Sequence, residues 1–89
     1  MVGYLATSKA GHDKDKLYVV LKEEGEYVWL TDGKNRTILN PKKKNKKHVQ
    51  IIKVFTDENI RTSLRNNQDV PDHVLNKFIR EYSKHLSME

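Results

Sequence analysis

Up to residue 54 the chain alternates short β-branched and aromatic runs with turn chemistry, and this rhythm constrains the fold more than any other feature. GYLAT at 3–7 is followed by a polar turn, SKAGHDKDK at 8–16, and then by LYVVL at 17–21. KEEGE at 22–26 turns around Gly25 into YVWLT at 27–31, and DGKN at 32–35 carries an Asp-Gly pair, a strong hairpin signal. RTIL at 36–39 reads as a brief strand closed by Asn40 and Pro41, and HVQIIKV at 48–54 as the last one. Five short strands at this spacing predict a small, strongly bent β-barrel, because an open sheet would leave its edges exposed. LYVVL is apolar on both faces, which predicts a strand covered on both sides.

The period changes after Phe55. Thr56 or Asp57 can cap a helix whose early acids, Asp57 and Glu58, suit its dipole. Ile60 and Leu64 share one face of it, and Asn66-Asn67 reads as its stop. A second helix is expected to start near Pro71, a good first-turn residue. Val74, Leu75, Phe78, Ile79, Tyr82 and Leu86 then form one apolar stripe. The expected architecture is mainly β, a barrel over 1–55 followed by a C-terminal helical hairpin over 56–89, α+β overall. The stripe is read as a docking face for the barrel or the first helix, with a groove on a partner protein as the alternative.

An 89-residue chain holds a small core. It has no cysteine, hence no disulfide framework or thiolate metal site. No apolar stretch approaches the roughly 20 residues of a membrane span, and no secretory core follows Met1, so a soluble cytoplasmic protein without membrane association is expected. The net charge of +5 is unevenly distributed. Residues 1–55 carry twelve Lys and Arg against six acids, whereas residues 56–89 carry five against six. The asymmetry points to an acidic macromolecular partner for the first part.

SKAGHDKDKLYVVL joins a basic, glycine-containing turn to a buried strand and resembles a KOW motif. With YVWLTDGKNRTI and PKKKNKKHVQII following in order, residues 2–54 resemble the bacterial KOW-domain proteins that are similar to a large-subunit ribosomal protein of archaea and eukaryotes. That resemblance implies an SH3-like barrel, RNA binding, association with the ribosome and no enzymatic activity. Gly11 matches the turn glycine, and Lys14 and Lys16 the basic positions. Asp15 stands where the family usually has glycine; Asp tolerates a left-handed backbone, but its charge argues against phosphate contact by that loop.

Lys42, Lys43, Lys44, Lys46 and Lys47 form the densest charge run, expected as a loop on the barrel rim that grips phosphate as flexible point charges. The plainer reading is a solvated loop. Lys9, His12, Lys14 and Lys16 lie on one turn, Lys34 and Arg36 on another, and with His48 these could join the lysine run in one basic RNA-binding surface. Arg36 is the candidate for planar, bidentate contact. Trp29 shares a strand face with Tyr27 and Thr31; packing against barrel or helices is the reading favoured over base stacking, as it is for Tyr4 and Tyr18. His12, His48, His73 and His85 lack metal spacing, and neither cofactor nor active site is expected. The sequence thus reads as a non-enzymatic RNA-binding protein, with ribosomal RNA or the ribosome as partner. The alternative is a module that binds an acidic protein.

Overall fold

The computed structural model describes residues 1–9, 11 and 15–87. Five antiparallel strands, β1 (Leu5–Ser8), β2 (Leu17–Glu24), β3 (Tyr27–Thr31), β4 (Lys42–Asn45) and β5 (Val49–Ile52), are followed by two helices, α1 (Glu58–Arg65) and α2 (Asp72–Ser87). The sheet order is β4-β3-β2-β1-β5. The last strand thus returns beside the first, and a 3-10 turn at Lys46–His48 leads from β4 to β5, an arrangement of the SH3-like kind. Among the described residues no helix is long and apolar enough to cross a membrane.

Strand alternation divides the apolar residues between two cores. Ala6, Tyr18, Val20, Val28, Leu30 and Val49 fill the inner face. Leu5 and Val19 face the other way and join Ile60, Leu64, Leu75, Phe78, Ile79 and Tyr82, with Leu17 and Leu21 packed alongside. Strand β2 is therefore covered on both sides, as LYVVL predicts. The stripe of α2 docks on the chain's own sheet, leaving Leu86 at its exposed end. Tyr18 packs inside the barrel, and Tyr4 lies under the Arg61 guanidinium of α1, 4.4 Å from its ring centre.

A bulge in β2 matters for the surface. Val20 pairs with Leu30, but the next partner, Trp29, pairs with Lys22 rather than Leu21. The extra residue re-phases the strand. Without it, Lys22 would fall opposite Val28 on the inner face; with it, Lys22 stands outside, beside Trp29.

Local chemistry ends the elements where expected. Asp57 caps α1, its carboxylate accepting from the Ile60 amide at 3.0 Å. Asp15 takes φ +67° in the β1–β2 turn, the left-handed conformation that a glycine would supply.

Two expectations are corrected. Residues 36–39 are not a strand: Asp32 accepts the amides of Lys34 and Arg36, both at 2.8 Å, and coils the segment into a loop. The fourth strand is instead the lysine run. Lysine has low β-propensity and hides the pattern, yet the apolar stems of alternate lysines cover the inner face at the sheet edge, where charge also deters unwanted strand pairing.

Candidate nucleic-acid interface

Because the lysine run is a strand, its side chains alternate rather than act together. Lys42 and Lys44 stand opposite Leu30 and Val28, over the inner core, and are half-buried. Lys44 Nζ donates to Ser8 Oγ at 2.5 Å, tying β4 to the end of β1. Burial, and then the charge of Lys44, push the Lys42 amine below its ordinary range. Lys46, in the 3-10 turn, pairs with Glu23 at 2.6 Å. The expectation of a rim loop whose five lysines all grip phosphate as flexible point charges is thus corrected. The segment is a strand, Lys44 and Lys46 make contacts within the barrel, and Lys43 and Lys47 are exposed.

Lys43 points outward with the aromatic residues of β3. It pairs directly with Trp29 in the register, and its Nζ lies 4.3 Å from the Tyr27 ring centre and 5.6 Å from that of Trp29. From the other side, Lys22 Nζ lies 4.8 Å from the Trp29 ring and also pairs with Glu24 at 3.3 Å. Neither ring belongs to either core cluster, and Tyr27 is 41% exposed. The expectation that Trp29 packs the barrel or receives the helices is corrected. It forms, with Tyr27, the outer surface of β3, roofed by lysines.

The remaining cations gather by topology. The pairings Thr7 with Leu17, Val19 with Thr31, Leu30 with Lys42 and Ser8 with Val49 place five chain segments at one end of the barrel. Lys9, Lys16, Lys34, Arg36 and His48 all leave the sheet at that end. The Lys9 amide donates to the His48 carbonyl at 2.8 Å, joining the β1–β2 turn to the 3-10 turn. Lys9, Lys16, Lys34, Lys47 and His48 are exposed, whereas Arg36 is half-buried. The Arg36 carbonyl accepts the Thr31 hydroxyl as well as the amides of Asp32 and Gly33, at 3.0 and 3.3 Å, so its backbone is fixed. Burial and then the Asp32 charge raise the Tyr18 phenol, and the Arg36 charge opposes them. His12 and Lys14 lie outside the described residues.

Three acids of the barrel are engaged within it, while Asp15, in the β1–β2 turn, and Glu26 are exposed. Glu23 accepts from Lys46 and from the Met1 amino group at 3.3 Å, and these hydrogen bonds, Lys46 first, push its carboxyl below its ordinary value. Glu24 meets Lys22, and Asp32 holds the two loop amides. Among the described residues no three His, Asp or Glu side chains gather as a metal site.

Lys22 is the surface residue that the sequence does not single out: it stands on β2 and reaches Trp29 only through the bulge. Tyr27 is expected on the Trp29 face from two-residue alternation along β3, but its exposure and its lysine neighbour become legible only once the lysine run is known to be the adjacent strand. No protein-family model matches the chain, and no curated protein matches it.

Proposed function

We propose that this chain is a non-enzymatic RNA-binding module acting at the ribosome or on structured ribosomal RNA. The observation that carries this reading is a surplus of exposed cations on the barrel, with Lys9, Lys16, Lys34, Lys43 and Lys47 against the exposed Asp15 and Glu26 and three engaged acids. Glu23, Glu24 and Asp32 are engaged by Lys46, Lys22 and backbone amides. Lys9, Lys34 and Lys47 are exposed and make no ion pair with described residues. Uncompensated lysines on a rigid frame bind phosphate by releasing its condensed counterions, a term that is strong and independent of sequence. The KOW-like order of the three segments at 8–21, 27–38 and 41–52 supports the same partner. Arg36, the planar cation among them, is the group suited to orient the RNA.

The test is equilibrium binding of a structured ribosomal RNA fragment across a salt series. With about five phosphate contacts, log K should fall against log salt with a slope of roughly −3.5 to −4.5. A flat response, or equal competition by an acidic peptide, overturns the reading. Crosslinking in cells followed by sequencing of the bound RNA would then name the target.

A further inference from the structure

We propose that the outward face of β3 and β4 is a stacking platform for unpaired RNA bases, with Tyr27 and Trp29 as the ring surfaces and Lys22 and Lys43 as the phosphate grips beside them. The proposal rests on the RNA-binding reading and names the kind of RNA that this face selects.

Burial and position argue first. An aromatic pair on a sheet normally sits under a helix or another sheet, because burying such rings is a large part of what stabilises a small domain. Here both cores are filled by other residues, and the two rings lie outside them, Tyr27 41% exposed and Trp29 half-buried. Residues two apart on one strand share a face, so Tyr27 and Trp29 offer two neighbouring rings along β3.

The chemistry of the surround narrows the occupant. The β2 bulge brings Lys22 to one flank of Trp29, and the register brings Lys43 to the other. Two cations bracketing two rings match a ligand that is flat, aromatic and polyanionic, which describes a nucleic-acid strand with its bases turned out. Glu24, opposite Tyr27, is the acid on this face. It pairs with Lys22 at 3.3 Å in the free protein and disfavours phosphate at the Tyr27 end. Phosphate must therefore draw Lys22 away from this exposed pair, which leaves Lys43 as the stronger grip. A paired duplex keeps its base faces stacked inside and cannot use such a surface. Lysines that lie over the rings in the free protein do not block it. An exposed cation–π contact is weaker than base stacking, and the displaced amines stay within reach of the backbone.

The chain's one tryptophan makes the platform self-reporting. The experiment titrates the full chain with end-labelled single-stranded oligoadenylate and with an RNA duplex, reading label anisotropy and Trp29 emission together. Oligoadenylate should change Trp29 emission in step with anisotropy, and the duplex should bind without that change. Tyr27→Ala should weaken oligoadenylate binding about 5- to 140-fold, the worth of one stacked base, with duplex affinity unchanged, and Tyr27→Phe should restore it. If RNA binds while Trp29 emission stays constant and Tyr27→Ala is neutral, the platform is overturned and the RNA-binding reading stands. If neither RNA binds, both fall. If an acidic peptide changes Trp29 emission where RNA does not, the occupant is a protein and the proposal is overturned.

Discussion

Gly33 lies directly beneath the first turn of α2: a Cβ at this position would overlap the Asp72 carbonyl oxygen and sit 2.9 Å from the Asn76 amide nitrogen. Polar contacts reinforce the seat. The Asp72 carboxylate accepts the Ile38 amide at 2.9 Å, and Asn76 Nδ2 donates to the Asp32 carbonyl at 3.0 Å. The segment expected to hairpin back from Asp32-Gly33 is the clamp that fixes the C-terminal helix to the barrel.

Gly33→Ala is therefore expected to destabilise more than Gly25→Ala. Both glycines have positive φ, +72° and +59°, and left-handed strain alone costs about 1 to 2 kcal/mol. Open space surrounds Gly25, whereas Gly33 meets helix backbone that cannot yield without moving α2. Urea unfolding of the two variants checks the difference; equal losses would show that the clamp gives way freely.

Phe78→Ala and Ile79→Ala test whether the helical stripe is core. Both side chains are buried in the cluster that contains Leu5 and Val19, and Phe78 stacks on Phe55 with ring centres 5.8 Å apart. The expected losses are about 3–5 kcal/mol for Phe78→Ala and about 2–5 kcal/mol for Ile79→Ala by chemical denaturation. A neutral result in either case would mean that α2 is not seated as described.

The lysines of the run should separate by role. Lys47→Gln, at an exposed position, should leave the melting temperature unchanged while lowering the magnitude of the salt slope of RNA binding by about 0.7–0.9. Lys44→Met, which removes the contact with Ser8 Oγ, should cost about 1–3 kcal/mol because it leaves a buried hydroxyl without that partner. Parallel melting and binding curves distinguish the two; identical behaviour would return the run to a uniform loop.

Glu23 gives a pH dependence with a definite sign. Its folded carboxyl is held below the ordinary 4.5 by Lys46 and the amino terminus. The stabilisation is therefore complete above that value and is lost as pH falls through the lower folded one. Glu23→Gln should flatten the acid limb of a melting-temperature profile and lower stability modestly at neutral pH, since the pair is partly solvated. An unchanged acid limb would show that the ion pair contributes nothing.

Arg36→Lys keeps the charge but not the planar fork. It should reduce the preference for cognate over scrambled RNA at fixed salt, with overall fold unchanged. An unaltered ratio makes Arg36 one more point charge and passes the orienting role to Trp29 or His48.

The sequence by itself determined what depends on neighbours along the chain. The doubly apolar face of residues 17–21, the Asp57 cap, the Asn66-Asn67 stop and the spacing of Leu75, Phe78, Ile79 and Tyr82 are local signals of period and capping, and each appears where expected. Only the tertiary structure decided the fourth strand. Lys42–Asn45 pairs with β3 because the inner face needs cover, and the aliphatic stems of Lys42 and Lys44 supply it. Nothing within those four residues announces that. The same cause hid the aromatic-basic strip: Lys22 and Lys43 meet Trp29 through a bulge and a cross-strand register, relationships between segments that carry no trace in either segment alone.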